Sequence, residues 1–376
     1  MKRGYFLPLL LVLAVPASAA PKVVDLKAPD GVVLKATYFA AEGGGPGVLL
    51  LHQCNRQRKV WDELAQQLTA AGINVLSFDL RGFGESGGAR QETLTPQEEA
   101  EVETRKWPLD IETAFQYLTL QPGVTQDAIG VGGASCGVNS AIRTARRHPE
   151  QVKSLVLLSG GTDLAGRDFL RQTSRPPELF SMADDDEFRA TVDIMPWLYS
   201  VASNPGKKFV HFTTGGHGAD IFRKHPELRG TIVDWYVTTL IRTPGRAPKE
   251  KSNWPMPPWT QFVDELDKPG GAGAIPGKAI PPESIVNLIG YEHLQAGDVK
   301  GAVEILKLNV AAHPKSPNAY DSLGDAYLAE GQKDLARENA KKALELVSSD
   351  TVDPEERRQA IHDNSERKLK QLEDGK

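Results

Sequence analysis

The 376-residue sequence predicts an α/β domain on a mostly parallel, doubly wound sheet, followed by a small all-α unit of helical repeats. Three observations carry that expectation. Short apolar runs alternate with amphipathic stretches as far as Ile241. The pentad Gly133-Ala134-Ser135-Cys136-Gly137 sits where one such run passes into one such stretch. Beyond residue 282 small residues recur with a period of 34.

The elements follow in order. Lys2 and Arg3, the apolar core Tyr5 to Val15 and the small residues Ala17-Ser18-Ala19 make residues 1–20 a secretory signal, cleaved near Ala19 or Ala20. The core is too short for a membrane anchor, Pro16 interrupts it, and no later segment is long and apolar enough to span. The mature chain is therefore expected in the periplasm or outside the cell. Val23 to Phe39 reads as a hairpin turning at Asp30-Gly31. Val48 to Leu51, Val75 to Phe78, Ala128 to Val131, Leu155 to Leu158, Leu179 to Met182 and Phe209 to Phe212 are short, mostly apolar runs, as strands covered on both faces require. Between them Trp61 to Ala70, Leu109 to Leu118, Val138 to Arg147 and Ile232 to Ile241 repeat apolar residues every three or four positions, as helices do. Residues 21–242 thus form one α/β domain.

Residues 243–282 are rich in Pro, Gly and Lys and lack sustained periodicity, so they read as a linker, with Trp254 and Trp259 placed to dock it in part as a strap. In residues 283–376, Gly290, Gly297 and Ala302 recur as Gly324, Gly331 and Ala336, each 34 positions on. With Tyr320, Leu323, Tyr327 and Ala343 this resembles tetratricopeptide repeats. Two helix pairs leave apolar surface on the open side, so the final helix, Pro354 to Leu372, is expected to cap the stack unless docking does so.

Losing Lys2 and Arg3 with the signal takes the formal charge from −5 to −7, and no basic patch stands out, which excludes a nucleic-acid binder. Cys54 and Cys136 are the only cysteines. Without clustered histidines they do not make a metal site, and no cofactor is expected. In an oxidising compartment they are either a disulfide or two small thiols.

The pentad reads as a nucleophile elbow, in which a strand turns sharply into a helix and flanking glycines leave room for the turn. Ser135 is the apex; with Cys136 there, the flanking positions would be Ala134 and Val138, and the glycine pattern fails. The general base is expected at His217 in Gly215-Gly216-His217-Gly218, on the loop after Phe209 to Phe212. His52, His148, His211 and His225 are weaker, His211 lying within a strand and His148 and His225 preceding prolines as exposed residues near helix ends. The acid that orients the base is expected in Asp184-Asp185-Asp186-Glu187, with Asp186 favoured over Asp185 and Asp163 an outside candidate. Two backbone amides must receive the oxyanion, those of Cys136 and of Gln53 or Cys54 in His52-Gln53-Cys54-Asn55.

The order Ser135, Asp186, His217, with Asp79-Leu80-Arg81-Gly82-Phe83-Gly84-Glu85-Ser86 after the fourth strand, resembles the α/β-hydrolase family over about Val23 to Ile241. The dienelactone hydrolase-like and serine-esterase branches are the nearest in pattern, and the resemblance implies cleavage of esters, lactones and in some members peptides. Two positions depart from it. Dienelactone hydrolases carry cysteine at the apex, and the third-strand loop commonly reads His-Gly where this chain has His52-Gln53. Only seventeen residues, Gly160 to Pro176, follow the sixth strand, too few for a large cap domain. Trp197 and Tyr199 are expected in the core or lining the mouth. The expectation is an exported serine hydrolase acting on an ester-like bond of a small-molecule or peptide acyl substrate. The alternatives are a serine peptidase of the same fold and a non-catalytic scaffold recruiting protein partners through the repeats.

Overall fold

The computed structural model describes residues 20–172, 174, 176–247, 249, 254–267 and 280–374. The expected export signal up to residue 19 lies outside the described residues, as do residues 248, 250–253 and 268–279 of the expected linker. The chain opens with an antiparallel pair, β1 (Lys22–Lys27) and β2 (Val33–Phe39). Then β3 (Gly45–Leu51), α1 (Asp62–Ala70) and β4 (Asn74–Phe78) make the first crossover. Helices α2 (Pro96–Glu101) and α3 (Trp107–Thr119) lead to β5 (Val124–Ala134), and α4 (Cys136–Arg147) begins one residue later. The alternation continues as β6 (Val152–Leu158), α5 (Leu164–Leu170), β7 (Glu178–Ala183), α6 (Arg189–Val201) and β8 (Lys208–Phe212), and α7 (Ile221–Lys224) and α8 (Glu227–Tyr236) follow.

These strands form one eight-stranded sheet in the order β1-β2-β4-β3-β5-β6-β7-β8, with β1 and β2 antiparallel and every pair from β4 to β8 parallel. Parallel pairing aligns the carboxyl ends of β3, β5, β6, β7 and β8 along one edge, where open α/β sheets bind ligands. Both faces are covered. Trp107, Phe115, Phe180 and Trp197 fill one side and Trp61, Trp235 and Tyr236 the other. All six residues of β7 are buried, Glu178 and Ser181 along with the apolar Leu179, Phe180, Met182 and Ala183, as in a strand covered on both faces. Helix α4 buries Val138, Ala141, Ile142 and Ala145, spaced three and four apart, and turns Arg143, Arg146 and Arg147 outward.

Three local readings change. Strand β5 starts at Val124, four residues before the apolar run, because its exposed Thr125, Gln126 and Asp127 extend the strand beyond the covered part of the sheet. His148 and His225 are half-buried and not exposed: His148 stacks on Phe115 at 4.0 Å and His225 on Phe212 at 4.0 Å, so each imidazole packs as a flat aromatic. The linker contains a helix, α9 (Trp259–Leu266), whose Val263 and Leu266 enter the main core, while Trp254 stacks on Phe209 at 5.0 Å. Two turns of helix are too short for periodicity to be read amid surrounding Pro and Gly.

Beyond it come α10 (Glu283–Gln295), α11 (Val299–Ala312), α12 (Pro317–Glu330), α13 (Lys333–Val347) and α14 (Glu355–Asp374). The pairs α10/α11 and α12/α13 start 34 residues apart. Helix α14 lies over α12 and α13, burying Ile361 and Leu372. Its buried Lys368 binds Asp321 and Asp325, so the open side of the stack is covered by a satisfied charge as well as by apolar residues. At the other end the stack is seated on the α/β domain. Arg167 of α5, fully buried, donates to Asp267 just past α9 and to Glu292 of α10, and Ile285, Val286 and Ile289 share one core with the sheet.

Candidate active site

The elbow is present at the end of β5. Ser135 has φ 54° and ψ −122°, a conformation that costs a side-chain-bearing residue energy and survives only where its surroundings enforce it. The surroundings here are the two glycines. A Cβ on Gly133 would run into the Gly137 carbonyl, and a Cβ on Gly137 would come within 2.6 Å of the Leu51 carbonyl on β3. Strand, helix and neighbouring strand therefore close to backbone contact, and Ser135 is pushed out at the carboxyl edge, partly exposed. Gly160, after β6, is equally tight against the Ser135 carbonyl.

The loop after β8 brings His217 to the same edge, buried. Its Nδ1 lies 3.0 and 2.9 Å from the two carboxylate oxygens of Asp186. A carboxylate only accepts, so Nδ1 carries a proton, and the neutral imidazole held this way has its lone pair on Nε2. Asp186 is itself held, with Oδ1 accepting from the Phe188 amide at 2.8 Å and Oδ2 from the Thr191 hydroxyl at 2.7 Å. Burial pushes its carboxyl pKa up, but the bonds from His217, Thr191 and Phe188 outweigh that and hold it below the usual aspartate value. Asp185 also reaches this loop, accepting from the amides of Gly215 at 2.6 Å and Gly216 at 2.7 Å and from Lys224 at 2.8 Å. Neighbouring carboxylates thus divide the work: Asp186 takes the imidazole and Asp185 takes the backbone before it. Asp184 and Glu187 are exposed.

Cys54 and Cys136 form a disulfide with their Cα atoms 6.0 Å apart, which joins the loop after β3 to the first residue of α4. The side chain of Gln53, next in the chain, is buried and faces the His217 loop; its Oε1 accepts from the Ala219 amide at 2.7 Å, and its Nε2 lies 3.3 Å from the His217 carbonyl. Ser135, Cys136, Cys54, Gln53, His217 and Asp186 are thereby linked in one chain of covalent and hydrogen bonds. Among the described residues the Ser135 hydroxyl makes no hydrogen bond; such contacts commonly tighten only with substrate in place.

The other candidates stand apart. Both nitrogens of His52 are engaged, Nε2 accepting from the Leu80 amide at 3.0 Å and Nδ1 donating to the Gln53 carbonyl at 2.8 Å. His211 pairs with Asp184, and Asp163 caps α5 and binds Arg143. Trp197 and Tyr199 are core residues, Tyr199 edge-on to Phe180 and Phe209. The aromatic at the site is Phe188, 51% exposed, with its ring 4.4 Å from that of His217. Sequence reasoning missed it along with Thr191. The only sequence signal for either is proximity to the acid, two and five residues on.

A family model described as serine aminopeptidase, S33, matches residues 46–182. That stretch includes Ser135 and stops short of Asp186 and His217. Among curated relatives, a thiohydrolase of Aspergillus aculeatus is 30% identical over 125 residues, 32% of this chain and 36% of the relative. A zearalenone hydrolase of Bionectria ochroleuca is 24% identical over 129 residues, 34% of this chain and 44% of the relative. The chain spans between about a third and a half of the length of the curated relatives it matches. Among solved structures, a dienelactone hydrolase of Anabaena variabilis superposes with a TM-score of 0.46 at 19% identity, over 59% of this chain and 98% of the other. Sheet order and elbow together identify the α/β-hydrolase fold, and the family match agrees with it.

Proposed function

We propose that the chain is an exported serine hydrolase that cleaves a carboxylic ester or lactone through an acyl-enzyme. Ser135 Oγ attacks the carbonyl carbon while its proton passes to His217 Nε2, and the Asp186 carboxylate stabilises the imidazolium through Nδ1–H. The amides of Cys136 and of Gln53 or Cys54 receive the oxyanion. Collapse of the tetrahedral intermediate breaks the bond to the alcohol, which leaves with the proton from Nε2. Water, deprotonated by the same nitrogen, then releases the acid and restores Ser135. The observation that carries the reading is the strained Ser135 apex at the same sheet edge as a buried His217–Asp186 pair. The disulfide supports export, since such bonds persist in oxidising compartments.

A peptidase is the second reading, favoured by the description of the matching family model. The two helix pairs offset by 34 residues support a tetratricopeptide-like unit, for which a protein partner is the natural ligand. Labelling with a fluorophosphonate probe tests the chemistry: wild type labels and Ser135→Ala does not, whereas equal labelling of the two removes Ser135 from the reaction. Turnover of acyl esters against aminoacyl amides then separates esterase from peptidase.

A further inference from the structure

The loop after β3 has two arms, and they reach opposite halves of the site. Its base is rigid. His52 is buried and ties the loop to the end of β4 through the Leu80 amide, and its own Nδ1–H closes onto the Gln53 carbonyl. Burial pushes the His52 pKa down, so the ring stays neutral and keeps one donor and one acceptor. From this base the Cys54–Cys136 bond runs to the residue after Ser135. The Gln53 amide group runs the other way, holding the Ala219 N–H and the His217 carbonyl on either side of Gly218.

Gly218 is shaped to receive it. Its φ is +58°, and a Cβ there would stand 2.5 Å from Gln53 Oε1. The Gln53 side chain thus occupies the space that a side chain at 218 would need, and the backbone flanking His217 is moulded around it. A second brace, Asn55 Oδ1 at 2.9 Å from Gln53 Nε2, fixes which way the amide points. Neither arm touches a reacting atom through its side chain, although the proposed oxyanion amides belong to the same residues.

We propose that Gln53 and the Cys54–Cys136 disulfide are a bracket that positions His217 against Ser135, so that turnover depends on the oxidised state of the bond. The inference rests on the Ser135–His217 reading above. The arms act in series: with the disulfide open, the loop no longer refers the histidine to the nucleophile, and Gln53 holds His217 to a segment that is itself free to shift. Opening is a two-electron step in which a dithiol delivers two electrons and two protons, Cys54 and Cys136 become thiols, and the dithiol leaves as its own disulfide. Both cysteines are partly exposed, so the bond is within reach of a small reductant.

The test is a cycle on the full chain with p-nitrophenyl acetate: wild type and Gln53→Ala, each oxidised and after dithiothreitol, with thermal melts beside every rate. In the oxidised protein Gln53→Ala lowers kcat about 10- to 100-fold with KM nearly unchanged, the scale of a misplaced catalytic group. Reduction of wild type lowers kcat by a similar factor, and in the reduced protein Gln53→Ala costs less than about twofold, because positions in series are not additive. The Cys54→Ser, Cys136→Ser double variant runs at the reduced wild-type rate and ignores dithiothreitol. An active wild type with the same kcat in both redox states overturns the bracket alone, as do additive effects of mutation and reduction. Reduced protein that melts below the assay temperature overturns it too, since the bond then serves the whole fold. A wild type that neither turns over nor labels with fluorophosphonate overturns the triad reading and, with it, the bracket.

Discussion

At the scale of single residues, the acidic run after β7 separates by geometry what composition leaves equivalent. Of Asp184, Asp185, Asp186 and Glu187, Asp186 alone is buried, and it alone meets His217. Offset from the strand end favours it, but the deciding contacts come from the Phe188 amide and the Thr191 hydroxyl, which no residue count supplies. Asp186→Asn keeps the shape and removes the acceptor that selects the Nδ1 tautomer. The expected loss in kcat is about 10⁴-fold with little change in KM, measured on any turned-over ester. The carboxyl also carries a pH signature. Because its folded pKa is lowered, its stabilising contribution is fully present above the unfolded value of about 3.9 and is lost as pH falls through the lowered folded value. Urea midpoints measured from pH 6 down to pH 2 should therefore fall more steeply for wild type than for Asp186→Asn. Parallel curves would mean that the carboxylate gains nothing from its partners in the fold.

At the scale of the element, the elbow joins β5, α4 and β3 at backbone distance. The need for glycine at 133 and 137 is steric, and both neighbours that impose it are main-chain carbonyls, which cannot swing away as a side chain can. Gly133→Ala must then move α4 relative to β5 and carry Ser135 with it. The expected cost is about 1–3 kcal/mol of stability, the range for overpacking, with a larger fractional loss of activity. A variant with wild-type melting and wild-type kcat would show that the contact relaxes without moving the apex. The strands at this edge were legible because burial on both faces leaves short, mostly apolar runs, as in Val48 to Leu51 of β3. The polar start of β5 and the short α9 were not, since neither one-sided pairing nor two helical turns leaves a period to read.

At the scale of the whole molecule, the helical unit is seated on the domain that carries the site. Arg167 sits at the junction, stacked 4.6 Å from the Trp197 ring and bonded to Asp267 and Glu292, while Arg171 adds Asp264 and Asp267. The surface it helps to cover belongs partly to α6, whose first turn supplies Thr191 to Asp186 and whose Asp193 accepts from Ser284 of α10. Replacing Arg167 by Met leaves the buried Asp267 and the half-buried Glu292 facing one fewer cation, and the expected loss is about 3–5 kcal/mol in urea unfolding. A loss confined to the helical unit, read as a separate early transition with activity intact, would show that the two units fold independently.

The sequence by itself determined the α/β class, the elbow at Ser135, the chain order of Ser135, Asp186 and His217, and the 34-residue spacing of the helices. Each of these is local or periodic: a glycine pattern, an apolar run, a repeat. The tertiary structure decided that the two cysteines are bonded, that Asp186 and Asp185 serve different parts of one loop, that Phe188 and not Trp197 or Tyr199 borders the histidine, and that Gln53 holds the backbone around His217. Those facts depend on which residues the sheet brings together from segments as much as 166 positions apart. A linear pattern ranks candidates along the chain; the parallel sheet, by gathering its strand ends on one edge, determines which of them meet.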